Sequence, residues 1–413
     1  MKNSVELLAP ISDFASLHAA IEAGADAIYF GLSKFSMRAR PSNSFTLEDI
    51  SKVTSICKKN NVKSYVTLNT VVYNDEINTA HQICDFLKKS DIDAIIASDF
   101  AVLTYARSIN LPIHLSTQAN VSNIESVKFF SQFADVIVLA RELTLEQIKD
   151  ICEKIKKENI QGPSKKNIKI ELFAHGALCV AISGKCYMSL AQYNFSANKG
   201  SCLHPCRRKY KIIEEDTNQE LIIDNHYVMS PKDLCTLPIL DKIIDAGVSI
   251  LKIEGRGKAP EYVYTVIKSY KDALDSIANN TFSNEKITSL LEDLQTVYNR
   301  GFWEGGYYLG EKLGKWSNSS GSQSTFKKTY IGKVTNYFSK INVAEVKLEA
   351  HLLKENDHII VIGQTTGVIK HQVKLMKDIN KKTIKQANKG ETITFESQKK
   401  LRKNDQIYLF EKK

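Results

Sequence analysis

No apolar run in this 413-residue chain approaches the roughly 20 residues that a membrane-spanning helix needs. The opening MKNSVELLAPISDF lacks a basic segment followed by an apolar core, which predicts no secretory leader and a cytoplasmic location. In that reducing compartment structural disulfides are rare, so its eight cysteines are not expected to be a disulfide framework. None of them forms the tight Cys-x2-Cys pair of a zinc ribbon. There is also no Gly-x-Ser-x-Gly elbow and no His-Glu-x-x-His zinc site, so hydrolysis has no ready-made motif.

What is present is uneven. Residues 327–413 hold 19 basic and 9 acidic side chains, whereas the preceding 326 residues hold 37 of each. A neutral body with a basic tail suggests an anionic partner, nucleic acid first. A lysine-rich solvated surface is the plainer alternative. The length predicts two or three domains.

Short apolar runs alternate with amphipathic helical patterns through the first 280 residues. The runs fall at 5–10, 26–32, 62–69, 93–99, 112–119, 134–140, 168–176 and 248–257. Eight buried-type strands alternating with helices predict an α/β fold, a (β/α)8 TIM-like barrel spanning 1–283. The seventh connection is far too long for a simple loop. It is an insertion over about 177–247, with a β-excursion in RRKYKIIEEDTNQELIIDNHYVMS and a helix near LPILDKIIDAG. A helix and a Gly-, Ser- and aromatic-rich linker follow over 284–326. From Tyr330 the period changes to two, in six short runs, which predicts that 327–413 is a small antiparallel β-barrel.

Chemistry in such a barrel gathers just past the carboxyl ends of its strands. Those positions hold Pro10, Asn69, Thr70, Asp99, Ser116, Thr117, Gln118, Arg141, Glu171, His175, Glu254, Gly255 and Arg256. Among them Gln118, Arg141, His175, Glu254 and Arg256 are the catalytic candidates. Arg141 and Arg256 suit a carboxylate-bearing ligand, because a guanidinium pairs with carboxylate in a bidentate way. A salt bridge to Glu142, Glu171 or Glu254 is the structural alternative for either arginine.

Four cysteines cluster in the insertion as Cys179-x6-Cys186-x15-Cys202-x3-Cys206. Their spacing is open to a metal, to an iron–sulfur cluster or to independent thiols. Cys57, Cys84 and Cys152 fall in helical patterns and read as core thiols, with Cys235 a weak fifth candidate. A nucleophile is the remaining possibility, from Cys179 with His175 or from Ser183 and Ser189 beside His204.

At these residues the chain resembles a known family. ELFAHGALCVAISGKCYMS is similar to the signature of peptidase family U32, the collagenase-like proteins. ELLAP, AAIEAGADAIYFGL, HLSTQAN, KGSCLHPCRRKY and SILKIEGRGKAPEYV resemble its other blocks, in order, over roughly residues 4–320. Residues 330–413 are similar to the family's C-terminal β-barrel. The resemblance implies either of two activities, proteolysis or oxygen-independent hydroxylation of tRNA, ribosomal RNA or ubiquinone precursors. The hydroxylation branch implies prephenate as co-substrate and a 4Fe–4S cluster, onto whose ligands Cys179, Cys186, Cys202 and Cys206 map. Length and the C-terminal barrel look most like the tRNA branch, whose product is wobble 5-hydroxyuridine. That branch implies tRNA as partner, with a related family subunit as a further one.

Overall fold

Eight strands rich in Val, Ile, Leu, Ala and aromatic residues alternate with helices along the first two thirds of the chain. The computed structural model describes residues 5–37, 45–221, 229–310, 315–317, 319 and 321–413. The first six units run β1 (Glu6–Pro10), α1 (Phe14–Glu22), β2 (Ala27–Gly31), α2 (Ile50–Lys59), β3 (Lys63–Leu68) and α3 (Ile77–Lys89), then β4 (Ala94–Ala97), α4 (Phe100–Ser108), β5 (Ile113–Leu115), α5 (Ile124–Phe130), β6 (Val136–Val138) and α6 (Leu145–Lys157). β7 (Lys169–Gly176) leads into the insertion, which contains α7 (Met188–Tyr193), β8 (Ile212–Ile213), β9 (Glu220–Leu221), β10 (Asp233–Cys235) and α8 (Leu240–Asp245). β11 (Ile250–Ile253) and α9 (Pro260–Ala278) complete the eighth unit.

Each barrel strand pairs in parallel with the next, and β11 pairs with both β7 and β1, which closes the barrel. The helices form because their sequences carry both stop signals and a single apolar stripe. In α6, Thr144 and Gln147 cap the first turn reciprocally, while Ile148, Ile151, Cys152 and Ile155 bury one face. Lys154, Lys156 and Lys157 end it, complementing the negative pole of the helix. Inside the barrel a second apolar layer contains Leu8, Tyr29, Tyr65, Ile96, Val136 and Ile250.

The insertion is tied to the barrel rather than hanging from it. β10 runs antiparallel to β7, and β12 (Phe302–Glu304) adds in parallel to β10. The 284–326 stretch therefore does more than link. Its helix α10 (Asn284–Gln295) precedes β12, Trp303 is fully buried, and Tyr308 Oη donates to Phe173 O at 2.8 Å. The expected β-excursion begins as the β8–β9 hairpin, and its remainder at 222–228 lies outside the described residues.

The C-terminal unit is antiparallel, as its period of two predicts. Its strands are β13 (Phe326–Phe338), β14 (Val343–Leu348), β15 (Leu353–Lys354), β16 (His358–Gly363), β17 (Gly367–Gln372), β18 (Met376–Lys377), β19 (Thr383–Ile384), β20 (Gln386–Ala387), β21 (Thr392–Glu396) and β22 (Gln406–Lys412). Eight of them form one sheet ordered β17-β16-β22-β13-β14-β21-β18-β19, and β15 pairs with β20. The apolar run at 371–379 divides, because Val373 turns back to bond with Asn356 and Asp357. β17 packs on the outer helices: Val368 and Ile360 join Ala19 in one cluster, and Lys328 pairs with Glu261 at 2.7 Å. Among the described residues no helix is long and apolar enough to cross a membrane.

Candidate functional site

A cavity of about 500 Å³ opens where the carboxyl ends of the barrel strands meet the insertion. The barrel contributes Tyr29, Thr67, Asn69, Gln118, Arg141, Phe173, Lys252, Glu254 and Arg256 to its wall. The insertion contributes Cys179, Cys186, Cys202 and Cys206. Residues far apart in sequence thus share one mouth, where the barrel geometry places strand ends side by side.

The wall is strongly cationic. Arg141, Arg207, Lys252, Arg256, Lys258 and Arg300 line it, against a single carboxylate among the described residues, Glu254. Arg141 lies flat on Phe173, its guanidinium carbon 3.9 Å from the ring centroid. Its Nε is buried without a hydrogen-bond partner, and among the described residues it makes no ion pair with Glu142, Glu171 or Glu254. Arg256 is held elsewhere in the wall: its Nη1 donates to Ser36 Oγ at 2.9 Å and to Thr67 Oγ1 at 3.1 Å. These hydroxyls are 2.6 Å apart and fit because Gly31 leaves the space; a Cβ there would stand 2.0 Å from Ser36 Oγ. Gly31→Ala is therefore expected to dislodge Ser36 and lower the stability of the fold by about 1 to 3 kcal/mol. Urea denaturation checks this, and an unchanged midpoint would show that the Ser36–Thr67 pair tolerates a methyl group there.

The floor of the cavity is a buried charge network. Lys252 Nζ is 2.8 Å from Glu171 Oε1, and His114 Nδ1 is 3.0 Å from Glu171 Oε2. Burial works to raise the Glu171 carboxyl, but Lys252 and then His114 outweigh it and hold it below the usual carboxylate range. Gln118 accepts from Ser116 Oγ at 2.8 Å, and Ser183 of the insertion donates to Asn120 Oδ1 at 3.0 Å.

The structure separates several expected site residues from this mouth. His175 is buried, its ring enclosed by Tyr262, Tyr270 and Phe302, with Tyr270 Oη 3.4 Å from its Nδ1. None of its contacts is Cys179, so the two do not form a nucleophile–base pair. Asp99 caps α4, accepting from Ala101 N and Val72 N. Thr70 and Pro10 are buried beside the mouth, outside its wall. Burial alone pushes the His175 imidazole down to about 3. The unfolded chain binds this proton near pH 6.5 and the folded chain does not, so stability falls as pH drops from about 6.5 towards 3. His175→Phe is expected to remove roughly 2 kcal/mol of the stability lost between pH 6.5 and 4.5, read from urea midpoints.

The cysteine loop is braced over the mouth. Val71 N donates to Asn198 O at 3.2 Å, and Lys199 pairs with Glu76. Arg207 donates to Ser230 Oγ at 3.0 Å, to Pro231 O at 2.8 Å and to Leu178 O. Backbone N–H groups already point at two sulfurs: Met188 N at Cys186 and His204 N at Cys202, each at 3.4 Å. Burial pushes the Cys206 thiol up to about 11, Arg207 opposes it, and Cys179, Cys202 and Cys186 are near enough to raise it further. Among the described residues no three ligands converge on the position of a single metal ion. A lone tetrahedral zinc would draw its sulfurs to about 3.8 Å from one another. A cubane spreads four thiolates over a larger body than one ion, and four thiols lining one cavity, two of them with N–H donors on their sulfurs, are the donor type it takes. Cys57, Cys84 and Cys152 are buried core thiols pushed up to about 12, 12 and 11. Cys235 is fully buried and outside the cavity wall.

Lys252 and Phe173 were not singled out by sequence reasoning. The signal for Lys252 was a lone cation inside SILKIEG, at a strand position buried on both sides. Lys258 and Arg300 carried no such signal, since loop cations are commonplace.

Fold and site together define a parallel (β/α)8-barrel protein whose mouth combines four thiols with a cation-lined cavity. The chain belongs to peptidase family U32, whose family model matches residues 12–318. It is 48% identical over 411 residues to a collagenase of Porphyromonas gingivalis, covering 100% of this chain and 99% of that one. It is 29% identical over 384 residues to a tRNA hydroxylation protein of Bacillus subtilis, covering 90% and 87%. A 23S ribosomal RNA 5-hydroxycytidine synthase of Escherichia coli is 38% identical over 277 residues, covering 66% of this chain and 40% of that one.

Proposed function

We propose that this chain hydroxylates the wobble uridine of tRNA without molecular oxygen, using prephenate as co-substrate and a 4Fe–4S cluster on Cys179, Cys186, Cys202 and Cys206. The observation that carries this reading is the shared mouth: four thiols face the same cavity as Arg141 and Arg256. Similarity to proteins named for tRNA and ribosomal RNA hydroxylation supports it. A cluster bound there would supply one-electron redox chemistry next to the substrate. The protein's own residues do the binding. Arg141 and Arg256 stand just past the ends of different strands and so grip two carboxylates of one ligand. Phe173 and Tyr29 hold these cations in place through their ring faces. The roof of insertion residues limits water in the cavity, which strengthens each of these charge contacts.

The RNA backbone is assigned to the C-terminal unit, around β18 and β19. Lys374, Lys377, Lys381, Lys382, Lys385 and Lys389 are all exposed there, and none is in an ion pair among the described residues. Elsewhere on the unit lysines are neutralised, Lys327 by Glu411 at 3.1 Å and Lys333 by Glu349 at 2.9 Å. Replacing the six exposed lysines with Gln is expected to flatten the dependence of log affinity for tRNA on log salt by about 4 to 5. A change below about one would place the RNA elsewhere.

The deciding experiment is mass spectrometry of tRNA from a deletion strain lacking any second such enzyme. Loss of wobble 5-hydroxyuridine supports the reading, and its persistence rejects it. A second reading, proteolysis, is favoured by the similarity to a protein named collagenase. It requires that gelatin cleavage by pure protein vanish in Cys179→Ala and survive iron chelation.

A further inference from the structure

We infer that Lys252, on the floor of the barrel, is the inner anchor for one carboxylate of a dianionic ligand, with Arg141 beside it and Glu171 and His114 as positioning residues. This rests on the proposed reading of the cavity as a dicarboxylate site. Lys252 lines the cavity although its side chain is only 5% exposed. An ammonium has three donors, and one is used on Glu171. Its other neighbours are aromatic faces, Tyr29 at 4.5 Å and Phe173 at 5.6 Å from the ring centroids, which accept no ordinary hydrogen bond. Arg141 lies 3.9 Å from the centroid of the same Phe173 ring and has its own buried, unpartnered Nε. Two cations thus flank one ring with donors to spare.

Glu171 does not neutralise both. Its second oxygen is committed to His114 at 3.0 Å, and His114 is itself packed on Tyr65 at 4.3 Å between centroids. The arrangement holds Lys252 in one place, in a cavity wall where Arg141, Lys252 and Arg256 outnumber Glu254. As a stabilising device alone it makes poor sense, since apolar residues in place of a buried ion pair are often neutral or stabilising. As a binding device it makes sense, because a pre-oriented, dehydrated ammonium gains most from a carboxylate. Arg256, held by Ser36 and Thr67 and 5.6 Å from the centroid of Tyr29, takes the other charge. The ring carboxylate of a ligand such as prephenate goes to Lys252 and the side-chain carboxylate to Arg256, so a monoanion that keeps only the side-chain carboxylate uses Arg256 alone.

The test is calorimetry on the full chain with prephenate, with phenylpyruvate, which lacks the ring carboxylate, and with chorismate and inorganic phosphate as other dianions. In Lys252→Met combined with Glu171→Gln, both buried charges are gone and the fold is retained, as an unchanged melting temperature verifies. Prephenate affinity is expected to fall roughly tenfold to a hundredfold, while phenylpyruvate affinity changes by less than about threefold. Lys252→Arg is expected to recover most of the prephenate affinity. Equal losses for both ligands, or none, overturn the inference, as does a wild-type protein that binds no dianion of the set. Lys252-dependent binding of chorismate or phosphate without prephenate binding would uphold the anchor and reject the proposed co-substrate.

Discussion

Cys206→Ala protein prepared without oxygen is expected to be colourless and to restore no 5-hydroxyuridine to the tRNA of a deletion strain. The wild-type protein, by contrast, should be brown, with about four iron per chain. The loop around Cys206 does not depend on its sulfur. Tyr210 Oη donates to Pro205 O at 2.8 Å, and Arg207 is fastened to Ser230, Pro231 and Leu178. Alanine at this position therefore removes the sulfur and little else. Burial pushes the Cys206 thiol up, so a metal bound there would have to stabilise the thiolate. Cys235→Ala is the matched control: that thiol is fully buried and pushed up to about 12, and its loss should cost stability without changing iron content. A brown Cys206→Ala protein with a full complement of iron would remove Cys206 from the ligand set.

Gly176→Ala is expected to destabilise the protein by more than about 3 kcal/mol and to abolish activity in whatever still folds. Gly176 sits at the last residue of β7, at φ +108°, a backbone region L-residues rarely adopt. A Cβ there would stand 2.3 Å from the carbonyl oxygen of Glu254. The close approach is needed because β7 pairs with β11 on one side and β10 on the other, where the β11 register shifts between Lys252 and Ile253. Relieving the clash would push Glu254 away, and Arg256 two residues later with it. Urea denaturation measures the first effect. A variant with a wild-type midpoint would show that β7 and β11 tolerate separation at this point.

The barrel was legible because each strand is buried on both faces and each helix on one, which writes two distinct periods into the chain. The grouping of the four thiols was legible because they lie within one insertion, and all four line the one cavity. His175 shows where such reasoning stops. Its position after a barrel strand matched a catalytic residue, yet the added strands β10 and β12 bring Phe302 against it, beside Tyr262 and Tyr270. Nothing local in the chain records that a segment more than a hundred residues later will cover it. Lys252 is the converse case, a charge in an apolar strand whose purpose depends on Glu171 and His114 in two other strands.

By itself the sequence determined the alternation of elements, the basic C-terminal unit and four thiols placed at the end of the seventh strand. Those features depend on neighbours a few residues apart. The tertiary structure alone decided which cations face the cavity, which histidine is enclosed and which carboxylate neutralises Lys252. Barrel closure sets those outcomes, since it brings strand ends from across the whole chain within hydrogen-bond reach.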